Sequence, residues 1–284
     1  MNETTLKFAT WNIGGGILGR SHQRGARSSL DYYASVLEEH KPDIACLQEA
    51  HSFSNGDDQS EYLAERTGYP HVEVFPISKS HLADDAFLTL GILSRFPIVT
   101  TSYQKFPNPG LTSIGPDGHH WKLLDKGYAK AVIDLDDRLI GILNAHCFPL
   151  HYFRAAPTES RFREIWQMLS ADLREMHGVM PTVAGIDLNY APIQDLLAGP
   201  LRPGYYVNAF SGTPTTAKGI QQDYILYTHV MTLLQSTVLS TMSDHSYCQV
   251  EVEIPITDNK APNRGDIYSI EIAPYSLTTL RRSQ

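Results

Sequence analysis

Cysteine is scarce in this sequence, and the few cysteines that occur exclude a disulfide framework. The 284 residues include three cysteines: Cys46, Cys147 and Cys248, which are widely separated and set in apolar runs. An odd number with this spacing is typical of buried free thiols in a reducing compartment and does not match a zinc site. Because the sequence opens on a strand-like run without a secretory leader, we expect a cytoplasmic protein.

Long apolar runs and runs of basic residues are also absent. No stretch approaches the roughly 20 apolar residues that span a bilayer, so the sequence predicts no transmembrane segment. Lysine and arginine total 23 against 31 acidic residues, which gives a net charge of −8. This balance argues against a protein that relies on non-specific attraction to nucleic-acid phosphates, although a local basic groove stays open.

What the sequence does contain is a series of polar residues beside strand-like runs. Ser243-Asp244-His245 stands just before the alternating run 248–254, which predicts a strand, and Asp223 opens another predicted strand, 222–227. A carboxylate can hold a hard divalent cation, and an imidazole can move or stabilise a proton near neutral pH. The tripeptide therefore suggests a metal ligand next to a general base.

Two apolar runs earlier in the chain end in acids. The run 43–47 leads into Glu49, and the run 181–186 leads into Asp187 and Asn189. A buried carboxylate without a partner costs several kcal/mol, so Glu49 is either a residue at the rim of the sheet or has a partner such as a metal. In extended geometry Asp187 and Asn189 point the same way, which suits a phosphoryl oxygen and its attacking water.

Helical spacing and turn residues complete a predicted α/β pattern. Apolar residues recur at helical spacing in 30–37 and 162–176, and a hairpin over 129–145 is flanked by Tyr128 and His146. The segment 107–120 is rich in proline and glycine, which predicts a long loop that shapes a binding mouth.

Taken in order, these elements resemble the endonuclease/exonuclease/phosphatase superfamily, the metal-dependent phosphoesterases related to deoxyribonuclease and neutral sphingomyelinase. The matching elements are Thr10-Trp11-Asn12, Leu47-Gln48-Glu49, Asn144-Ala145-His146, Gly185-Ile186-Asp187-Leu188-Asn189, Asp223-Tyr224-Ile225-Leu226 and Ser243-Asp244-His245. Each is weak alone, and their common order makes the set specific. The resemblance implies an α/β fold, a four-layer sandwich of two stacked mixed β-sheets flanked by helices, over residues 1–256, with 257–284 as a C-terminal extension of the same domain.

The resemblance also implies a metal site and a proton-handling pair. Glu49 would hold Mg²⁺, or Mn²⁺ in its place, together with Asn12 and Asp244, since the site offers oxygen ligands and few soft ones. His245, oriented by Asp223, would act as general base on the attacking water or stabilise the pentavalent centre.

The remaining matched residues would contact the phosphate or its attacking water. Asp187 would position the nucleophilic water and reach the metal through water, and Asn189 would bind a non-bridging oxygen. His146 would also contact the phosphate, and Tyr128 would line the site.

His146 and Lys126-Gly127 bear on the branch of the superfamily. A histidine at position 146 resembles the deoxyribonuclease, sphingomyelinase and inositol-phosphatase branches and departs from abasic-site endonucleases, and the Lys-Gly pair resembles the latter two of those branches. The leading hypothesis is a Mg²⁺-dependent phosphoesterase that hydrolyses a phosphodiester or phosphomonoester of a small-molecule or lipid-like substrate by in-line attack of water.

Two alternatives stay open, and the sequence indicates no oligomeric state. One alternative is an endonuclease or exonuclease that acts on DNA or RNA, which the acidic balance does not favour. The other is a binding protein on the same fold that retains affinity for a phosphorylated ligand without turnover. The basic groove of a nuclease would have to come from Lys122, Lys126, Lys130, Arg154, Arg161 and Arg163.

Overall fold

The structure is a computed structural model, and it describes residues 4–19, 29–115 and 118–255. Strands β1 to β14 are numbered along the chain. The first sheet contains β1 (Thr4–Asn12), β2 (Ile44–Phe53), β3 (His71–Lys79), β4 (Ala86–Ser94), β13 (Thr232–Leu239) and β14 (Tyr247–Ile254). The second contains β5 (Ile98–Lys105), β8 (Gly127–Asp134), β9 (Leu139–His146), β10 (Thr182–Asp187), β11 (Tyr206–Asn208) and β12 (Asp223–Thr228). A separate hairpin pairs β6 (Thr112–Ile114) with β7 (His120–Lys122).

The helices begin and end where local chemistry favours it. They are α1 (Leu30–His40), α2 (Gln59–Thr67), α3 (Arg163–Val179) and α4 (Gln194–Leu197). The Asp58 carboxylate caps α2 by accepting from the backbone N–H groups of Ser60 and Glu61, and Gly68 ends that helix at a φ of 74°. Among the helices of the described residues, none combines the length and the apolar character needed to cross a lipid bilayer.

Both sheets are mixed. The strand order is β13-β14-β1-β2-β4-β3 in the first sheet and β11-β12-β10-β9-β8-β5 in the second. In each sheet one central pair is parallel, β1 with β2 and β9 with β10, and the other pairs in the described residues are antiparallel. The parallel strands of each sheet therefore end at one edge, where polar residues follow them.

Apolar side chains divide the described residues into four layers. Phe8 and Ile92 of the first sheet pack against Ile142 and Ile225 of the second. Helices α1 and α2 cover the outer face of the first sheet through residues such as Tyr33, Leu37 and Leu63, while α3 covers the second through Ile165, Leu169 and Leu173. Each such fully buried side chain contributes about 1.5–3 kcal/mol. The predicted four-layer sandwich is confirmed.

The structure corrects the predicted loop and adds strands that the sequence pattern did not reveal. Residues 107–120 are not one long loop, because β6 and the start of β7 lie in this segment. The strands without a sequence prediction, β3, β5, β11 and β13, are the edge strands of the two sheets. The predicted C-terminal extension, 257–284, lies outside the described residues.

Candidate active site

Polar side chains from both sheets meet where the central strands end. Asn12 ends β1, His146 ends β9, Asp187 ends β10, and Asp223 begins the antiparallel β12. The register places Asp187 directly opposite His146 on one side and opposite Asp223 on the other. This edge of the sandwich is the candidate active site.

A β-bulge presents Glu49 to this edge. The pairing of β2 with β4 shifts register between Gln48 and Ala50, so Glu49 is the extra residue, and its φ is 54°. A bulge re-aims the side chain it carries. Here it brings Oε1 of Glu49 to 3.4 Å from Nε2 of His146.

Buried polar contacts join the two sheets beneath the site. The Gln48 side-chain amide donates to Thr10 Oγ1 over 2.9 Å and to Asn144 Oδ1 over 2.7 Å. Asn144 in turn donates to the carbonyls of Leu47 and Gly91. These bonds link β1 and β2 to β9 and fix the spacing between the strands that carry Glu49 and His146.

Close approach of the sheets at this level requires glycine at position 185. A Cβ atom on Gly185 would lie 2.6 Å from Thr10 Oγ1, inside normal contact distance. The absence of a side chain on β10 therefore lets β1 lie against it. This close approach of β1 to β10 brings Asn12 within reach of Asp187.

Asp223 holds the imidazole of His245 from the Nδ1 side. Its Oδ2 and Oδ1 lie 2.9 and 3.1 Å from His245 Nδ1, and both residues are buried. Burial alone lowers the pKa of His245, but the carboxylates of Asp223 and Asp187 outweigh it, so this pKa lies well above its usual value. The imidazole is held in one orientation with Nε2 left to exchange a proton.

Asp187 is the centre of the cluster. It is 1% exposed, and its Oδ2 accepts from Asn12 Nδ2 over 2.9 Å and lies 3.4 Å from His146 Nε2. Burial, with the nearby charges of Asp223 and Glu49, raises the pKa of Asp187, although His245 and Asn12 act the other way.

Asn189 reaches the site by a different route from the one its spacing suggested. Its φ of 55° breaks the extended geometry after β10, so strand alternation with Asp187 does not apply. Its backbone N–H donates to Asp187 Oδ1 over 3.0 Å, and its side-chain amide donates to the Cys147 carbonyl over 3.1 Å. It lies beside Asp187 because the chain turns there.

Lys126 is a member of the site that sequence reasoning placed elsewhere. Its side chain is 4% exposed, and its Nζ lies 3.4 Å from Glu49 Oε1 and 2.9 Å from His146 Nε2. Burial first, and the Lys126 ammonium second, hold the pKa of His146 well below its usual range. His146 is therefore a neutral acceptor for Lys126. The Lys-Gly pair before β8 was the signal that could have placed Lys126 here.

One predicted site residue, Tyr128, faces away from the cluster. The Tyr128 hydroxyl donates to Asp172 of α3, and its ring packs against Phe106. Tyr128 lies opposite Ala145 in the β8–β9 register, so it faces the helices and not the side of the sheet that carries His146. Asp244 is half-buried, and its Oδ1 accepts from the Ser243 hydroxyl over 3.3 Å.

The donor set suits a hard divalent cation. Ligand atoms of Asp187, Asp223 and His245 lie within 4.8 Å of one another, and Glu49 and Asn12 contact the same cluster through His146 and Asp187. The carboxylates of Glu49, Asp187 and Asp223 lie beside the Lys126 ammonium and the His245 imidazole, and their oxygen donors match the preference of Mg²⁺ or Mn²⁺. The cluster could hold a metal, and the ligands that the resemblance implies, Asn12, Glu49 and Asp244, stay a prediction.

Comparisons with known proteins identify the family and the fold. The sequence model of the Endonuclease/Exonuclease/phosphatase family matches residues 9–245. No curated protein matches the sequence.

Several solved structures share the fold. One is an endonuclease/exonuclease/phosphatase from Beutenbergia cavernae, with 18% identity, a TM-score of 0.68, and coverage of 88% of this chain and 72% of that one. A second is ANGEL2, a 2′,3′-cyclic phosphatase, with 15% identity, a TM-score of 0.63, and coverage of 89% and 96%. A third is a mannosyl-6-phosphatase from Bacteroides thetaiotaomicron, with 15% identity, a TM-score of 0.56, and coverage of 87% and 99%.

Proposed function

Because the chain belongs to the endonuclease/exonuclease/phosphatase family, we propose that it is a Mg²⁺-dependent phosphoesterase. Its substrate is a phosphodiester or phosphomonoester of a small-molecule or lipid-like compound, which it hydrolyses by in-line attack of water. The three free cysteines are buried, which supports work in a reducing compartment such as the cytoplasm.

One observation carries this proposal: two sets of polar side chains converge on Asp187. Glu49, His146 and Lys126 approach it from one side, and the Asp223–His245 pair approaches from the other. One half combines a carboxylate with a cation and the other carries a proton, and this arrangement around one carboxylate is what hydrolysis of a phosphate ester needs.

Each residue has a role that follows from its contacts. Glu49, Asn12 and Asp244 would hold the cation together with Asp187, and bound Mg²⁺ would neutralise the phosphate and stabilise charge on the departing oxygen. Asp187 also orients the attacking water, since its carboxylate lies between the two halves. His245, fixed by Asp223, places Nε2 to pass a proton or to stabilise the charged phosphoryl oxygens.

Lys126, His146 and Asn189 bind the phosphate in this proposal. The Lys126 ammonium is a buried point charge that pairs with a phosphoryl oxygen, and His146 supports it from the β9 edge. Asn189 lies next to Asp187, to which its backbone N–H donates, and its side-chain amide binds a non-bridging phosphoryl oxygen.

The nuclease alternative loses part of its support in the structure. Lys126 is buried in the site, Lys130 is paired with Asp172 at 3.2 Å, and Arg161 is paired with Glu159 at 2.9 Å. These cations are already engaged and do not form an open basic groove. A small or lipid-like ester remains the better match.

The test compares substrates of different size. Wild-type protein is incubated with Mg²⁺ and bis(p-nitrophenyl) phosphate, p-nitrophenyl phosphate or supercoiled plasmid DNA, with His245→Ala as the matched control. We expect release of p-nitrophenol by the wild type alone and intact plasmid. Rapid plasmid nicking that is lost in His245→Ala would establish the nuclease alternative instead, and tight phosphate binding without any turnover would indicate a binding protein.

A further inference from the structure

An aromatic corner stands at the rim of the active site, and it bears on the organic part of the substrate. It consists of Trp121 on β7 and Tyr152, which lies in the short 3₁₀ helix Leu150–Phe153. The ring centres are 6.0 Å apart and the planes meet at 77°. Tyr152 is 43% exposed, and Trp121 is half-buried.

The corner is tied to the reacting groups on one side by His151. The His151 imidazole hydrogen-bonds to the backbone of Asn189, and its ring centre lies 4.1 Å from that of Tyr152. Tyr152 is therefore the sequence neighbour of His151, which contacts Asn189 directly.

Lys218 ties the corner to the other side of the site. Its Nζ donates to the Tyr152 hydroxyl over 2.9 Å. Two residues earlier, Thr216 forms a β-bridge with His245, and the Ala217 N–H donates to the Asp244 carbonyl over 2.8 Å. The loop that carries Lys218 therefore contacts the chain directly at Asp244 and His245.

The shape and charge of this rim select among possible organic groups. The Lys218 ammonium lies over the Tyr152 ring, 5.1 Å from its centre, so a planar ring would meet the exposed part of this pair, where stacked and edge-to-face contacts are both favourable. A quaternary ammonium head group would also favour aromatic faces, but here it would meet the ammonium of Lys218. The rim therefore favours a planar ring that is neutral or carries negative charge.

We propose that Trp121, Tyr152 and Lys218 recognise a planar aromatic ring in the alcohol portion of the substrate. This inference rests on the proposed phosphoesterase function and narrows its substrate class. The ring can be a nucleobase or a simple aryl group, since both present a π face next to an anionic phosphate. The experiment distinguishes these sources.

The experiment uses esters that differ only in the ring. The monoesters are adenosine 5′-monophosphate, benzyl phosphate and ribose 5-phosphate, and the diesters are the methyl esters of the same three compounds. Hydrolysis with Mg²⁺ is followed by ³¹P nuclear magnetic resonance. Stacking on an aromatic side chain strengthens binding by about fivefold or more, so we expect kcat/KM for at least one ring-bearing ester to exceed that for the ribose ester by about fivefold or more, mainly through KM.

Substitutions of the three proposed residues test where the substrate ring binds. Tyr152→Leu and Trp121→Leu are each expected to reduce that preference below threefold, mainly by raising KM for the ring-bearing ester. Lys218→Met is expected to raise KM for the ring-bearing ester while the chain stays folded, because its side chain is exposed. Circular dichroism verifies the fold of each variant.

A control variant tests an alternative location for the substrate ring. Met242, which is 57% exposed, lines a cavity of about 540 Å³ on the other side of the loop that carries Lys218. Met242→Ala is expected to leave all constants unchanged. A raised KM in Met242→Ala with no effect in Tyr152→Leu would place the ring in that cavity and overturn the proposal.

The remaining outcomes separate this inference from the proposed function. Equal hydrolysis of all the esters, unaffected by the corner variants, would overturn the aromatic corner and leave the phosphoesterase intact. If no ester is hydrolysed, the phosphoesterase proposal is contradicted. Calorimetric binding of adenosine 5′-monophosphate, benzyl phosphate and ribose 5-phosphate to wild type and Tyr152→Leu then decides the ring site by itself, and equal affinities for the three would refute it.

Discussion

The ammonium of Lys126 lies 3.4 Å from the carboxylate of Glu49, although the two residues are 77 positions apart in the sequence. Both side chains are largely removed from solvent, at 4% and 13% exposure. A buried ion pair of this kind is costly to break, because removing one partner leaves the other charge uncompensated. Lys126 therefore holds positive charge beside the carboxylate proposed to bind the metal.

The first prediction concerns stability when Lys126 is neutralised. In the presence of a chelator, Lys126→Met should lower the free energy of unfolding by about 3 kcal/mol, and Mg²⁺ should restore more stability to the variant than it adds to the wild type. Urea unfolding with EDTA or Mg²⁺ measures both effects. Lys130→Met, which breaks the more exposed pair with Asp172, is the control and should change little. Equal effects of Mg²⁺ on wild type and Lys126→Met would contradict the account.

The second prediction concerns proton chemistry. His245→Ala should lower kcat by about 10²–10⁴-fold with the fold intact, because it removes the imidazole that Asp223 orients. Steady-state kinetics on a p-nitrophenyl ester and near-ultraviolet circular dichroism measure activity and fold. His177→Ala, a change on α3 at the surface, is the control. Activity near the wild-type level in His245→Ala would remove His245 from the mechanism.

The third prediction concerns the polar contacts between the sheets. Asn144→Ala removes an acceptor from Gln48 and donors from the carbonyls of Leu47 and Gly91. Buried polar groups left without partners cost about 1–3 kcal/mol each, so thermal unfolding should shift downwards by several degrees. The exposed Ser35→Ala provides the comparison. An unchanged midpoint would show that these bonds contribute nothing measurable.

The fourth prediction concerns acid stability through His51. The side chain of His51 is 3% exposed, and a Cβ atom on Gly15 would lie 2.5 Å from its ring. Burial is the main cause that lowers the pKa of His51 to about 4 from an ordinary 6.5. Since the unfolded chain binds the proton more tightly, the free energy of unfolding should fall as the pH drops from 6.5 to 4, by at most about 3 kcal/mol.

Urea unfolding at pH 7.5 and at pH 4.5 measures this effect. His51→Gln, which retains a polar group next to Ser80, should lose less stability over this interval than the wild type does. Parallel losses in the two proteins would show that His51 does not carry the proposed linkage.

The central strands could be predicted from the sequence, and the edge strands could not. Runs such as 43–47 and 181–186 are buried on both faces, so their apolar residues are continuous. Strand β13 has an edge position and is largely exposed, and β3 contains Pro76, which an edge strand tolerates. A continuous run of apolar residues indicates a strand that is buried on both faces. An edge strand buries too few of its side chains to show such a run.

The candidate site was predictable in its residue types and less so in its geometry. The acids and histidines at strand ends could be found in order, and the Asp223–His245 hydrogen bond implied by the resemblance is present. Asn189 was placed by strand alternation, which its left-handed backbone breaks. From the sequence, Lys126 was named only in the Lys-Gly pair and in the groove of the nuclease alternative, because burial of a single lysine depends on distant partners, Glu49 and His146, that no local pattern reveals.

The most direct measurement is a Mg²⁺ titration of bis(p-nitrophenyl) phosphate hydrolysis by wild type and Glu49→Gln after treatment with EDTA. The substitution keeps the shape of the side chain and removes the charge that faces the cluster. The account predicts that EDTA abolishes wild-type activity, that Mg²⁺ restores it, and that Glu49→Gln needs at least tenfold more Mg²⁺. Activity that survives EDTA, or titrations that coincide, would contradict the proposed metal site.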